Sequence, residues 1–338
     1  MRGVIFKGNR EAEIREFPDP HAGPGEAVVK IRASGLCGTD LHRYRAAEPT
    51  LMITGHEPCG EIAELGPGAP DGLAIGDRVM VHHYRGCGVC EICSMGYEQL
   101  CPKGRITYGG GTGHGANADY ILVPSRTLVH LLDDLTFEEG AAISCGTGTA
   151  WNGLKKMEVS GRDTVAVFGQ GPVGLSGTLS AKWMGARVIA IDIVPERLEL
   201  AHGLGADHVV NSSEADAVEA IKDLTGGAGA TAVLETSGNP SARQQALQCI
   251  RPFGRCCYVG IGGPAQVDFN QDIIFKVASV FGSWTFSKAE LLEIARFMVD
   301  ARVPLQKLIT HRYDLDQAVE AFRTFDGATT GKCVFVMD

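Results

Sequence analysis

The segment TVAVFGQGPVGLSG constrains the fold of this chain more than any other stretch, because it sets Gly169, Gly171 and Gly174 in a G-x-G-x-x-G turn between an apolar strand and a helical run. A strand that enters a helix through so tight a turn is the opening unit of a parallel sheet. The pattern then repeats: ARVIAID reads as a strand, ERLELAHGLG as a helix, HVV as a strand again, and further pairs follow. Such alternation predicts an α/β domain, a doubly wound parallel sheet with helices on both faces. The first glycine permits the turn, the second lets the backbone reach a pyrophosphate, and the third brings the helix against the strand. The helix N-terminus, with Pro172 and Val173, adds a favourable field for phosphate charge. The next strand ends at Asp192, 23 residues beyond Gly169. A carboxylate there accepts hydrogen bonds from the hydroxyls of an adenosine ribose and repels a 2'-phosphate, even with Arg197 one helical turn further on. The expected cofactor is NAD, held by Gly169, Gly171, Pro172, Val173, Gly174, Asp192, Arg197 and Val259.

Before residue 150 the chain has a different character. Short alternating runs such as AVVKIRA and GDRVMVHH lie between Gly, Pro and Asp clusters, which predicts many small strands joined by tight turns. The chain ends in a helical stretch, AELLEIARFMVDAR, then DQAVEAFRTF and a strand GKCVFVMD, the pattern of a return to the first domain. At 338 residues with 44% hydrophobic content, two domains are expected. Their bounds are read as 1–147 for a β-rich domain, 148–285 for the α/β domain and 286–338 for the return.

Cys87, Cys90, Cys93 and Cys101 follow the spacing C-x2-C-x2-C-x7-C inside a Gly-rich loop. Four soft ligands so close together wrap a zinc ion in a closed tetrahedron, a structural site. A disulfide pair or scattered core thiols is the alternative. A second set is dispersed: Cys37 in GLCGTDLH, His56 in GHEPCGEI and Cys145 in SCGTGTAW. Two thiolates and an imidazole leave a fourth position for water or substrate, as catalytic zinc requires. Cys59, Cys249, Cys256, Cys257 and Cys333 read as small buried hydrophobes. With 31 basic against 40 acidic residues and a net charge of −9, the chain is unsuited to a nucleic-acid backbone. MRGVIFKGNREAEI is charged throughout and no apolar run approaches the roughly 20 residues of a membrane span, so neither export nor a membrane anchor is expected. A reducing cytoplasm is the expected location.

GLCGTDLH, GHEPCGEI, GDRV, the four-cysteine loop and VFGQGPVG, in that order, resemble the zinc-dependent medium-chain alcohol dehydrogenase family over nearly the whole chain. The resemblance implies a GroES-like catalytic domain carrying two zinc ions per chain, a Rossmann domain binding NAD, and an active site in the cleft between them. It assigns the catalytic ion to Cys37, His56 and Cys145, with Glu57 beside it, and the structural ion to Cys87, Cys90, Cys93 and Cys101. It makes Asp40 the carboxylate that orients His56, and Thr39 and His42 a proton relay. Lys332 would lie near the cofactor pyrophosphate or in solvent. Members of this length imply a homotetramer.

An alcohol releases hydride only once its oxygen carries most of an anionic charge, and zinc stabilises that charge. Cys145 stands where sorbitol-type members carry glutamate, which turns the ligand set toward alcohol dehydrogenases. VHHYRGC, in contrast, puts His82, His83, Tyr84 and Arg85 where simple alcohol dehydrogenases present apolar walls, and Arg43 and Tyr44 follow the relay. These suggest a polar pocket for a secondary alcohol, polyol or sugar-derived hydroxyl, unless the side chains face water. His114, in YGGGTGHGAN, is a further residue able to reach the cleft. Oxidation of simple primary alcohols, and a non-catalytic NAD- and zinc-binding protein, remain the alternatives.

Overall fold

The computed structural model describes residues 1–338. The chain forms two compact units: Met1–Cys145 with Phe286–Gly327 and Lys332–Asp338, and Gly146–Thr285 with Ala328–Gly331.

In the first unit, seven strands form one sheet. Glu26–Gly35 is its centre, paired antiparallel with Pro58–Leu65, Tyr120–Pro124 and Lys332–Val336. Its sequence EAVVKIRASG is buried almost throughout, because a strand with neighbours on both sides and packing on both faces cannot keep the polar-out alternation of an edge. The register decides what meets at its end. Ser34 faces Pro58, and the Gly35 N–H donates to the Glu57 carbonyl. On the other side Val334 faces Gly35, and the Leu36 N–H donates to the Cys333 carbonyl. Residues 35–37, 56–57 and 332 therefore converge although the sequence holds them far apart.

The apolar core of this unit gathers Phe6, Tyr44, Phe322 and Phe335. Phe6 meets Tyr44 and Phe322 edge-on at 5.4 and 4.8 Å between ring centres. Tyr44 is thus a core residue and not part of a substrate pocket: on the helix Asp40–Arg45 it is turned inward, while His42 is exposed. The helix Lys288–Asp300 starts at a capping box of Ser287 and Glu290 and buries Leu291, Ile294, Ala295 and Met298, one apolar face at helical spacing. No helix is long and apolar enough to cross a membrane.

The second unit is built on six parallel strands in the order His208–Asn211, Arg187–Asp192, Thr164–Phe168, Ala230–Glu235, Ile250–Tyr258, Ser279–Gly282. The order reverses at Thr164–Phe168, which has the second strand of the fold on one side and the fourth on the other. Ligands of open α/β sheets bind beyond the strand ends at this switch point. The glycine turn begins there.

Candidate active site

The turn after Thr164–Phe168 requires its glycines for close approach. A Cβ on Gly174 would stand 1.7 Å from the Gly169 carbonyl oxygen, and Gly169 itself has φ of +83°. The helix Pro172–Trp183 follows, with Pro at its first position and Val173 beside it, so its free N–H groups point out of the sheet end. Asp192 closes the neighbouring strand. One carboxylate oxygen accepts from the Gln170 N–H, the other from Ile193 at 2.7 Å and Val194 at 3.0 Å, which pins the acid beside the turn. The Arg197 guanidinium lies 4.0 Å from where a Gly171 side chain would begin, and its Nε is buried without a partner. Burial pulls Arg197 below its ordinary range, with Asp192 opposing. Val259 follows the strand Ile250–Tyr258, its N–H donating to the Glu235 carbonyl at 2.9 Å.

In the first unit, Cys37, His56, Glu57 and Cys145 bring one ligand atom each within 4.8 Å of one another, all buried. Cys37 follows the central strand, and its N–H donates to Asp40 Oδ2 at 2.9 Å. The other Asp40 oxygen accepts from His56 Nδ1 at 3.0 Å. One carboxylate thereby sets both the loop and the imidazole tautomer, and Nε2 is left as the donor nitrogen. Cys145 lies in Ile143–Thr147, a single turn of π-helix whose extra residue re-aims the side chain. Thr39 Oγ1 donates to Cys37 Sγ at 3.4 Å and lies 3.2 Å from His56 Nε2. His42 is three residues on, along one short helix.

Glu57 is fully buried, and its two oxygens accept from Lys332 Nζ at 2.8 and 2.6 Å; the third ammonium proton goes to the Leu36 carbonyl at 3.1 Å. Gly35 makes room, since a Cβ there would stand 1.9 Å from Glu57 Oε2. Lys332 is therefore neither at a surface nor in solvent: it is 2% exposed and bound to Glu57. Burial pushes the Glu57 carboxyl up to about 7, with Lys332 opposing; burial also pulls Lys332 down, but the charges of Glu57 and Cys37 outweigh it and raise the ammonium.

With Glu57 engaged, the donors are two sulfurs and one imidazole. The two thiols share a proton: the Cys145 S–H donates to Cys37, which is held well below the ordinary thiol range, while that bond and burial push Cys145 well above it. Burial pulls His56 down, but Asp40 and Cys37 lift it well above its ordinary range. Two buried thiolates side by side are tolerated only around a cation, and a soft dication resolves the conflict. This set fits zinc.

The second cluster fits as well. Cys87 and Cys93, and Cys90 and Cys101, stand 4.0 Å apart, sulfur to sulfur. A thiolate tetrahedron with bonds of about 2.3 Å has edges close to that length. Main-chain N–H groups of Val89 and Cys90 lower Cys87 to about 6, whereas burial lifts Cys93 to about 12. Glu98 braces the loop by accepting from the Gly86 N–H at 2.7 Å and from Arg126 at 3.0 Å. All eleven cysteines are free of disulfides.

The polar residues ahead of that loop divide. Arg85 is exposed, and His82 donates from Nε2 to the Phe286 carbonyl at 3.1 Å. His83 is buried with neither ring nitrogen hydrogen-bonded, its ring centre 5.2 Å from that of His56. The Arg43 guanidinium donates to the Gly110 carbonyl and stabilises the glycine-rich loop. His114 accepts from the Ile53 N–H at 3.2 Å and packs edge-on against Phe17, so it holds a loop. The role of Lys332 escaped sequence reading because its partner is 275 residues away and only the strand register joins them. A basic residue opening the last strand was the one available signal.

A buried cluster of two thiols and an imidazole that fits zinc, in a β-rich unit, on a chain that also carries a parallel sheet with a G-x-G-x-x-G turn, is the combination that a zinc-dependent dehydrogenase requires. Residues 23–133 match the alcohol dehydrogenase GroES-like domain and residues 172–300 the zinc-binding dehydrogenase family. The chain is 37% identical, over 99% of its length and 98% of the other's, to an uncharacterized zinc-type alcohol dehydrogenase-like protein of Escherichia coli (strain K12). It is 35% identical to an L-threonine 3-dehydrogenase of Pyrococcus horikoshii, over 96% of this chain and 95% of that one. The solved alcohol dehydrogenase from Thermus sp. ATN1 superposes with a TM-score of 0.92 at 29% identity, covering 100% of both chains. The chain belongs to the zinc-dependent medium-chain alcohol dehydrogenase family, and it is an oxidoreductase of the kind that works with zinc and NAD.

Proposed function

We propose that this enzyme oxidises a secondary alcohol, polyol or sugar-derived hydroxyl to the ketone or aldehyde with NAD, using two zinc ions per chain. The observation that carries the reading is the donor set of Cys37, His56 and Cys145, with Glu57 withheld by Lys332. Zinc there supplies the charge that acidifies a substrate hydroxyl, and NAD accepts the hydride. Asp40 keeps His56 Nε2 turned to the metal. Thr39, whose hydroxyl lies 3.2 Å from that nitrogen, takes the substrate proton, and exposed His42 hands it to solvent. Glu57 approaches the ion only by leaving Lys332. Cys87, Cys90, Cys93 and Cys101 hold the structural ion. Gly169, Gly171, Pro172, Val173 and Gly174 take the pyrophosphate, Asp192 and Arg197 the adenosine ribose, and Val259 borders the cofactor. In this reading residues 1–147 and 286–338 form the catalytic domain and 148–285 the cofactor domain.

Reduction of NAD across simple alcohols, polyols, hydroxy acids and, given the likeness to threonine dehydrogenases, 2-amino-3-hydroxy acids tests the reading. Turnover of a polyhydroxy or other secondary alcohol, abolished by a chelator and restored by zinc, is the expected result. Binding of NAD and zinc with no turnover anywhere in the panel returns the non-catalytic alternative.

The homotetramer and the cytoplasmic location belong to the same reading. Thiols without disulfides suit a reducing compartment. The strand Ser279–Gly282 ends its sheet, and the segment leading into it exposes Phe269, Phe275 and Val277 by 62% or more. An open edge with an apolar approach invites a second copy. A Val280→Lys, Phe275→Glu variant is expected to fall to a smaller assembly in light scattering; an unchanged mass places the subunit contact elsewhere.

A further inference from the structure

His83 is the one histidine of the chain that is buried with both ring nitrogens unpartnered. It is 1% exposed, whereas buried His56 and His82 each have a hydrogen-bond partner. Its main chain is fixed, since the Tyr108 N–H donates to its carbonyl at 3.1 Å. Its ring is held by Tyr84, whose centre is 4.2 Å away, and stands 5.2 Å from His56. A neutral imidazole offers one N–H donor and one lone-pair acceptor. Buried polar groups are ordinarily satisfied, and an exception calls for a missing partner.

Resting on the dehydrogenase reading above, we infer that His83 binds a second hydroxyl of the substrate, on the carbon next to the reacting one, so that the substrate class is a vicinal diol or polyol. The reacting hydroxyl would belong at the metal that His56 would hold, and His83, its ring centre 5.2 Å from that of His56, would receive a hydroxyl on the adjacent carbon. A hydroxyl both donates and accepts, so it satisfies either ring nitrogen. A carboxylate wants two donors and an ammonium only acceptors, and a fully buried imidazole with one of each serves both less well. A site built around such a bond discriminates strongly against the analogue that lacks the group, because the imidazole is then left orphaned.

The test compares kcat/KM for 2,3-butanediol and 2-butanol in the zinc-loaded enzyme with NAD. The wild type is expected to prefer the diol by about 10–100-fold. His83→Phe should lose at least tenfold more on the diol than on the mono-alcohol, chiefly through KM, since the bond is made equally in ground and transition states. His83→Asn, which keeps a donor and an acceptor, should recover part of the preference, an effect that a purely structural role would not produce. A wild-type enzyme that oxidises 2-butanol without favouring the diol overturns the inference, whatever the variants do, and leaves the dehydrogenase standing. An unchanged diol-to-mono ratio in His83→Phe does the same. Absence of any alcohol turnover, with NAD and zinc bound, removes the proposed function and this inference together.

Discussion

Cys37→Ser is expected to lower alcohol-dependent NAD reduction by about 10³-fold or more, since the charge stabilisation that zinc supplies amounts to several kcal/mol and each 1.36 kcal/mol is a factor of ten. The substitution changes one atom. The N–H of residue 37 still donates to Asp40, and Asp40 still orients His56, so the loop keeps its form. What is lost is a soft donor in a set of three. Cys37 is also the sulfur that the site ionises most readily, because Cys145 donates a hydrogen bond to it. Metal analysis should show the catalytic ion depleted and the Cys87–Cys101 site full, about one zinc per chain in place of two. In a cobalt-substituted protein, the sulfur-to-metal charge-transfer absorption should fall to that of the Cys87–Cys101 site alone. A Cys37→Ser enzyme that turns over alcohol at the wild-type rate sinks the assignment of the catalytic donors.

What was legible in the sequence, and what was not, follows from the range of the interactions involved. The core of the glycine turn is local: Gly174 packs against the Gly169 carbonyl five residues back and Gly171 opens the helix between them, so spacing alone reports that geometry. The Cys87–Cys101 loop is local for the same reason. The expected catalytic donors are not, but each sits in a short motif, Cys37 and His56 beside strand ends and Cys145 in a helical turn, and family resemblance could gather them. Tyr44 shows where such reasoning stops. It lies two residues from His42, yet the short helix turns it into the core beside Phe6 and Phe322. Arg43 was legible as a polar group after the relay and His114 as one in a Gly-rich run able to reach the cleft, but whether a polar group serves a ligand or the backbone is a matter of hydrogen-bond partners, which sequence does not contain. His83 is the converse, a residue whose significance rests on having no partner.

Lys332 is the residue that no local pattern could place, and its loss is expected to destabilise the first unit by about 3–5 kcal/mol, the range for removing one partner of a buried ion pair. In Lys332→Met the Glu57 carboxylate stays fully buried without the ammonium that held both its oxygens. For a unit of this size the thermal midpoint should drop by about 6–20 °C. The pH dependence has a definite sign. Burial already lifts Glu57 from its ordinary 4.5 to about 7, so the folded state binds more protons than the unfolded one between those values. Stability held by a raised group is complete below the unfolded pKa and lost as pH rises through the folded one. Without Lys332 the carboxyl titrates higher still, so the deficit against wild type should be small near pH 5 and grow through pH 8. Removing both charges in Glu57→Gln, Lys332→Met should recover most of the loss at pH 8, because buried pairs replaced together by neutral groups of like volume are often nearly neutral in effect. Midpoints measured at the two pH values for wild type, single and double variants decide the matter: equal midpoints for Lys332→Met and wild type at pH 8 would mean that Glu57 is neutral in the native enzyme and that Lys332 does not hold it.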